Sequence, residues 1–421
     1  MTTTTTTTTT TSARRPRDRK AQIAQHASEL FATHGFHSVR MDDIAAATGI
    51  TARALYRHYE NKQTLLSHVV REDQNRLLAA LGELRQEAGA TAVDPEDHLR
   101  VIVDAALRGR RLSLLWQREA RYLNAEDYAH VREAARRIAD EFRTVVVAGL
   151  RPDLDPTSSL IRSWAALSLL MSPGHHDLAM AAAPLAELLL DAGRRVITAP
   201  PTSADSGGEP GPTRSSAPVP ASRREQLLSG AASAFRRSGY AGASIDDIGA
   251  GAGVVGPALY RYFDSKQDLL VAATCRYLEW VAHENARALR SGAAPEDMLV
   301  TLVKGYIRVA LEATDLLAVT VTESLHLPDG TAERVSRMRG DDLAEWARWL
   351  GVARPGIPEA IADVLVSAAR TLIDDLARIP QFRQDPGFEA KLRSAALAVL
   401  SPPRDIIAAS SAQTGVKASG V

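Results

Sequence analysis

Residues 31–66 recur without a gap as residues 235–270, so one chain carries two copies of a short segment. Fifteen of the 36 aligned positions are identical. The longest identical runs are Asp42-Asp43-Ile44 with Asp246-Asp247-Ile248, and Ala54-Leu55-Tyr56-Arg57 with Ala258-Leu259-Tyr260-Arg261. The offset of 204 residues is too long for a solenoid, whose period is roughly 20 to 50 residues, and indicates a duplicated domain.

Composition fits a duplicated protein and narrows its class only a little. The 421 residues are 45% hydrophobic, and 50 basic residues balance 50 acidic ones, so total charge neither predicts nor excludes a nucleic-acid partner. The lone Cys275 excludes an internal disulfide framework and a cysteine-based zinc site. The polar N-terminus is not of the kind expected for a signal peptide, and no apolar run reaches the roughly 18 residues that a membrane span needs. These features predict a cytoplasmic protein without a membrane partner.

Proline, glycine and low-complexity segments divide the chain into two units. We expect disordered tails at 1–14, which is poly-threonine, and at 403–421, with a linker at 199–221. Head 1 is residues 15–75, body 1 is 76–198, head 2 is 222–281 and body 2 is 282–402. The basic run that follows the poly-threonine is interpreted either as a solvated tail or as an arm that contacts phosphates.

The pattern between these segments is helical nearly everywhere, which predicts an all-α fold. Each head opens with apolar residues spaced for one helix face, Ile23, Ala27, Leu30 and Phe31 in head 1. Gly35 and Gly239 are placed to end that first helix. The similarity continues into the bodies, where Glu119 and Leu123 align with Glu323 and Leu327 at the same offset.

The duplicated segment has the pattern helix, glycine turn, helix. The turn is Thr48-Gly49-Ile50 in copy 1 and Ala252-Gly253-Val254 in copy 2. In the second helix Leu55 and Leu259 fall on the side that packs on the first helix, with Tyr59 and Phe263. Arg53, Tyr56 and Arg57 share the opposite side, where copy 2 has Pro257, Tyr260 and Arg261. This is a helix-turn-helix whose second helix fits a DNA major groove.

A further helix begins after Asn61 or Ser265, each a good N-cap residue, with Lys62 or Lys266 in its first turn. A lysine at a helix N-terminus opposes the helix dipole, unless an anion such as a DNA phosphate approaches that end. The alternatives are core packing for Tyr56 and Tyr260, and a solvated surface charge for the two lysines.

The run Asp-Asp-Ile, the turn glycine, Ala-Leu-Tyr-Arg and the later Lys and Leu-Leu resemble the DNA-binding domain of TetR-family transcriptional regulators. The resemblance covers about 60 residues in each copy. It implies a three-helix DNA-binding head, and a helical ligand-binding body whose last two helices dimerise. It also implies repression of transcription that a small molecule relieves.

By position in that family, the residues facing the bases are Thr51, Ala52, Arg53 and Arg57 in copy 1, and Val255, Gly256, Pro257 and Arg261 in copy 2. The residues contacting phosphates are Tyr56, Lys62, Tyr260 and Lys266. At the start of the second helix, Val255 lacks the side-chain oxygen with which Thr51 can cap the helix. At the start of the first helix, Ser244 and Asp247 give copy 2 a capping-box pattern, whereas copy 1 has Arg40 at the place of Ser244. Because Arg53 can pair with guanine and Pro257 cannot, we expect a non-palindromic operator in double-stranded DNA.

Each body ends in apolar helices of the kind that dimerise, predicted at 158–170, 178–197, 358–379 and 388–400. The linker is long enough to let these helices pair within one chain, so the sequence predicts an intramolecular pseudo-dimer. The alternative is that two chains associate and present four heads.

The bodies are expected to bind a small effector. Seven residues are candidates for the binding site, with plain core packing as the alternative: Trp116, Arg121, Tyr122, Trp164, Tyr306, His326 and Trp346. Residues 118–123 are similar to TetR regulators of lipid and acyl-CoA breakdown, and two-headed chains of this length resemble a regulator of a mycobacterial mce (mammalian cell entry) operon. We therefore expect a lipid-like or acyl-CoA-type effector.

No catalytic constellation is recognisable, so we predict no enzyme activity and no cofactor. His175-His176 has no further ligand at a usable spacing, and no metal site is predicted. The competing interpretation is a protein-interaction scaffold in which Val255 and Pro257 have made the second helix-turn-helix degenerate. Between the two, the sequence favours a ligand-responsive repressor.

Overall fold

The computed structural model describes residues 16–89, 91–109, 112–175, 180–200, 222–254 and 256–401. In these ranges the regular elements are helices, and no strand occurs, as the sequence predicted. The poly-threonine tail with its first arginines, nearly all of the linker and the C-terminal tail lie outside the described residues, as do Val255 and His176.

Within the described residues, unit 1 contains ten α-helices, and a short turn of 3₁₀- or π-helix follows three of them. They are α1 (Pro16–His34), α2 (Met41–Thr48), α3 (Ala52–Tyr56), α4 (Lys62–Ala88), α5 (Pro95–Arg108), α6 (Leu112–Glu119), α7 (Ala125–Phe142), α8 (Ala148–Leu150), α9 (Pro156–Met171) and α10 (Ala182–Thr198).

Unit 2 repeats this order with two exceptions: a 3₁₀-helix, Gly256–Arg261, replaces the third helix of the head, and one long helix replaces α7, the π-helical turn and α8. Its α-helices are α11 (Arg223–Gly242), α12 (Ile245–Gly251), α13 (Lys266–Leu289), α14 (Pro295–Glu312), α15 (Thr314–Thr322), α16 (Asp329–Ala353), α17 (Glu359–Ala377) and α18 (Phe388–Val399). Helix α11 is interrupted at Gly239, whose φ of 72° is not helical.

The heads form because each short helix buries one apolar stripe against the others. Ile23, Phe31, Ile44 and Leu55 are completely buried in head 1, which confirms the predicted apolar face of its first helix. Helices α4 and α13 run without a break from head into body, across the predicted boundaries at 75 and 281. Each head is therefore attached to its body by a continuous helix.

The two units pack on each other through a four-helix junction made of α9, α10, α17 and α18. Hydrogen bonds cross it: Ser168 Oγ donates to Asp375 Oδ2 at 2.5 Å, and Arg195 Nε donates to the carbonyl of Ala398 at 3.0 Å. These are the helices that the sequence predicted to dimerise, and they pair within one chain. Among the described residues no helix is both long and apolar enough to cross a membrane.

Candidate nucleic-acid interface

The turn of each helix-turn-helix depends on a glycine in the left-handed region. Gly49 has a φ of 68° and Gly253 a φ of 66°, values that side chains with a Cβ rarely adopt. The next residue folds back on the first helix, as Ile50 N–H donates to Ala45 at 3.0 Å and Val254 N–H to Gly249 at 2.9 Å. Both heads therefore make the same turn.

After the turn, one side of each second helix is buried and the other faces outward. Leu55 and Leu259 are fully buried, which confirms that they belong to the core, as do Tyr59 and Phe263. Tyr56 is 53% exposed and Tyr260 54%, so the core-packing alternative for these tyrosines is wrong. The arginines that follow them, Arg57 and Arg261, are exposed, and Arg53 is exposed beside Tyr56. This outward face is aromatic and cationic in both heads.

The second helix of head 1 is capped and α-helical. Thr51 Oγ1 accepts a hydrogen bond from the backbone N–H of Ala54 at 3.2 Å, as a helix N-cap residue does. Thr51 itself is exposed and Ala52 is half-buried. Head 1 thus keeps Thr51 and Arg53 on the surface at the start of the helix that would enter a groove.

The corresponding segment of head 2 is a 3₁₀-helix that lies close against α12. A Cβ on Gly249 would be 2.7 Å from the carbonyl oxygen of Val254, and one on Gly256 would collide with the Asp246 carboxylate. Gly256 is therefore buried against α12, although the sequence predicted that it faces the bases. Val255 and the side chain of Pro257 lie outside the described residues. The two heads present unequal surfaces.

The first helix of each helix-turn-helix starts differently, as predicted. Ser244 Oγ accepts from the N–H of Asp247 at 3.0 Å, and the Asp247 carboxylate accepts from the N–H of Ser244 at 3.0 Å. This is a complete capping box. In head 1 only the return bond exists, from the N–H of Arg40 to the Asp43 carboxylate at 2.8 Å.

The two repeated lysines point into the protein. Lys62 Nζ donates to the carbonyls of Phe36 at 2.6 Å and Val39 at 2.8 Å, and Lys266 Nζ donates to that of Ala243 at 2.8 Å. Burial lowers the pKa of both lysines. Because both ammonium groups already donate to these carbonyls, the geometry favours a structural role for the two lysines over the predicted phosphate contact. The bonds also offset the unfavourable helix dipole.

Two pairs of repeated residues connect the heads to the bodies. The sequence showed that these residues recur but did not reveal this role. Gln63 Nε2 donates to the carbonyl of Tyr122 at 2.7 Å, and Gln267 Nε2 to that of His326 at 3.4 Å. Likewise the Glu119 carboxylate accepts from the N–H of Phe36 at 3.3 Å, and Glu323 from that of Tyr240 at 2.9 Å. The two glutamines are 204 residues apart, as are the two glutamates, and this spacing was the sign in the sequence that they are equivalent.

The seven predicted effector residues do not surround one cavity. Arg121, Tyr122 and His326 lie where heads and bodies meet, and Tyr122 stacks on Phe36 at 5.5 Å between ring centroids. Trp116 stacks on Tyr128 near the core of head 1, and Trp164 packs half-buried on the body core.

Tyr306 and Trp346 meet edge to face in body 2, with ring centroids 5.9 Å apart. The buried Arg370 guanidinium lies over both rings and pairs with Asp342. Tyr306 also hydrogen bonds to Asp374, whose pKa burial raises, and to Tyr277 at 3.1 Å. The adjoining cavity, lined by Arg339 among others, measures about 30 Å³, room for about one water molecule. Body 2 is thus filled by its own side chains here.

The family model for bacterial regulatory proteins of the tetR family matches residues 23–69 and 227–273. Two tetR-family domains lie in this one chain. Each match falls within a head and includes its helix-turn-helix. Within the described ranges, no group of three or more histidine, cysteine or carboxylate side chains is placed to hold a metal ion.

Relatives of these tetR-family heads include regulators from mycobacteria. The chain is 33% identical over 93 residues to the HTH-type transcriptional activator FasR of Mycolicibacterium smegmatis, matching 22% of this chain and 41% of FasR. It is 30% identical over 110 residues to the transcriptional repressor KstR of the same species, matching 26% of this chain and 53% of KstR. The chain therefore spans about half or less of the length of these relatives.

Among solved structures, the chain is similar to the ketosteroid transcriptional regulator KstR2 of Mycobacterium tuberculosis. The identity is 20% and the TM-score 0.38, over 43% of this chain and 94% of that one.

Proposed function

We propose that this protein is a transcriptional repressor that binds one DNA operator with both heads of a single chain. The observation that carries the proposal is the outward face of each second helix. Tyr56 and Tyr260 are more than half exposed, each followed by an exposed arginine, while Leu55 and Leu259 hold the opposite side in the core. Tyrosine hydroxyls and guanidinium groups are common donors to phosphates and base edges.

We further propose that the operator is non-palindromic, because the heads differ where they would meet bases. Head 1 offers the exposed Arg53 on an α-helix, which can bond bidentately to guanine. Head 2 has Pro257 at that position, on a 3₁₀-helix that lies against α12. Under head 2, Arg261 is then proposed to face the bases, with Tyr260 contacting phosphate.

A small lipid-like or acyl-CoA-type effector is proposed to bind in body 1. His98 is 1% exposed, and in the described part of the chain neither of its ring nitrogens has a hydrogen-bond partner, since Oε1 of the nearby Glu141 is 3.8 Å from Nε2. Burial lowers its pKa, so the ring is neutral near pH 7 and able to bond a ligand hydroxyl or carbonyl. Leaving such a group unpaired costs about 1–3 kcal/mol, which a bound polar group would recover.

The proposal is tested by a gel shift and footprint on the DNA upstream of the gene. We expect nanomolar binding, one protected region of unequal halves, and an affinity that falls with salt by a log-log slope of about 0.9 per neutralised phosphate. Inverted repeats of either half-site alone should bind more weakly than the natural operator. Absence of any shift would favour the scaffold interpretation instead.

The effector is tested in the same assay by adding a long-chain acyl-CoA, with free coenzyme A as the control. Release of DNA by the former alone is expected, and His98→Phe should abolish the response while leaving DNA binding intact. An unchanged shift at saturating acyl-CoA would contradict this effector class.

A further inference from the structure

The two units meet through an ion pair beneath the heads. Arg121 of unit 1 lies with Nη2 2.6 Å from Oε1 of Glu323 in unit 2. The Glu323 side chain is completely buried and that of Arg121 is 21% exposed. A buried carboxylate is costly without a counter-charge, so this pair holds the units in one geometry.

Glu323 also holds head 2 directly. Its other carboxylate oxygen accepts from the N–H of Tyr240 at 2.9 Å, in the turn at Gly239 that interrupts α11. Unit 1 packs closely on the same turn. A Cβ placed on Gly239 would be 2.9 Å from the Tyr122 hydroxyl and 3.0 Å from the Arg121 guanidinium. One carboxylate thus connects the turn of head 2 to a cation of unit 1.

This connection exists on one side only. The position equivalent to Arg121 in unit 2 is Leu325, which lies near Gly35 and carries no charge. The carboxylate equivalent to Glu323 is Glu119, and its cation is Arg118 of its own unit, with Nε 4.0 Å from Oε1. Burial raises the pKa of Glu119, as expected for a carboxylate with weak compensation. Head 1 is therefore not held by unit 2 in the same way.

We infer that Arg121 is a positioning residue for DNA recognition, which fixes head 2 against unit 1 through Glu323 and so sets the spacing between the two heads. This rests on the proposed function for its consequence on DNA, but the positioning itself does not. A rigid pair of heads accepts one half-site separation, whereas a loosened pair accepts several. The sequence predicted that Arg121 contacts an effector, whereas in the structure its guanidinium is paired with Glu323.

The first experiment measures head spacing without DNA. Spin labels are placed at the exposed residues Glu60 and Asp264 in a chain whose only cysteine has been removed by Cys275→Ala. The distance distribution between the labels should be narrow in the parent chain and clearly broader in Arg121→Leu and in Glu323→Gln. An unchanged width in both variants would overturn the inference, whatever the protein does with DNA.

The second experiment measures the consequence with operators lengthened between the half-sites. Lengthening by two base pairs should weaken binding of the parent chain by about tenfold or more, and that of Arg121→Leu by about threefold or less. Equal discrimination by both proteins would contradict the role of Arg121 in recognition. If the parent chain binds no DNA while the labels respond as expected, the proposed function fails and the positioning stands.

Two matched variants control for loss of folding. Arg136→Leu removes an arginine from an exposed pair with Glu133, and should change neither width nor spacing preference. Arg121→Leu combined with Leu325→Arg moves the cation to the equivalent place opposite Glu119, and should restore a narrow distribution. Failure of this exchange to narrow the distribution would show that the ion pair does not set the spacing.

Discussion

Head 1 and head 2 share a scaffold but are joined to their bodies differently. Head 1 has a separate core, which reaches Leu115, Ala120, Leu123 and Val131 and stops there. The core of head 2 is continuous with that of body 2 and, through it, with body 1. The difference lies in the middle of the connecting helix, where 71–76 is Arg-Glu-Asp-Gln-Asn-Arg and 275–280 is Cys-Arg-Tyr-Leu-Glu-Trp.

The contrast is visible at two aligned positions. Tyr277 and Leu278 are buried in α13, whereas Asp73 and Gln74 stand at the same places in α4. Asp73 is paired with Arg76 at 2.8 Å, and Tyr277 hydrogen bonds within the core to Tyr306. Duplication therefore preserved the fold of the heads, while one head became part of a larger core and the other stayed separable. We expect head 1 to open at lower free energy than head 2.

The largest effect on stability is expected from removing the buried cation Arg370, which lies in the continuous core of unit 2. Arg370→Ala leaves Asp342 and Asp374 in the interior of body 2 without their cation, which should lower the free energy of unfolding by about 3–5 kcal/mol. Chemical denaturation measures this loss. Hydrogen exchange should speed up in α12 of head 2 more than in α2 of head 1.

The control is Arg337→Ala, which removes an exposed arginine paired with Glu333 at 3.9 Å and should cost at most about 0.5 kcal/mol. Equal acceleration of exchange in both heads after Arg370→Ala would show that the two cores are not separate.

A smaller effect is expected from the unequal DNA surfaces. Arg53→Ala should weaken binding and relax base preference under head 1 by about 1–3 kcal/mol, while preference under head 2 stays unchanged. Binding to operators randomised in one half-site at a time measures the two preferences separately. If the substitution relaxed both halves alike, the heads would not be recognising separate half-sites.

The smallest effect is a pH dependence confined to unit 1. Burial raises the pKa of Asp73 to about 6, so the folded state binds its proton more tightly than the unfolded chain does. The carboxyl therefore costs stability progressively as pH rises from about 4 to 6, and the cost is complete above that range. Asp73→Asn should be neutral at pH 4 and stabilise the protein by on the order of 1 kcal/mol at pH 7.

Thermal or urea unfolding across this range measures the difference between the two proteins. A gain that is the same at pH 4 and pH 7 would mean that ionisation of Asp73 is not its cause.

The sequence predicted the parts of the heads that depend on local pattern. Gly49 and Gly253 had to provide a left-handed turn, Leu55 and Leu259 had to face the core, and Tyr56 and Tyr260 the outside. The apolar pattern also predicted the four helices of the junction, and the resemblance to TetR-family regulators implied that they pair. Each of these predictions needs only the residues of one or two neighbouring helices.

The remainder depends on contacts between distant segments. Lys62 bonds to carbonyls of a turn 23 to 26 residues earlier, which no helical pattern reveals. Arg121 and Glu323 pair across units, so neither copy alone contains the interaction. In head 2, Gly256 can approach α12 because Gly249 has no side chain there. This approach buries Gly256, which its position in the sequence had predicted to be exposed.

For the proposed DNA-binding function, the four-helix junction has a consequence for how occupancy depends on the amount of protein. A regulator built from two separate chains must first associate, so at low levels its two-headed form declines with the square of the chain concentration. Here α9, α10, α17 and α18 are paired as soon as one chain has folded. Occupancy should then rise in simple proportion to the number of molecules, so that a cell with only a few copies keeps every one of them competent to bind.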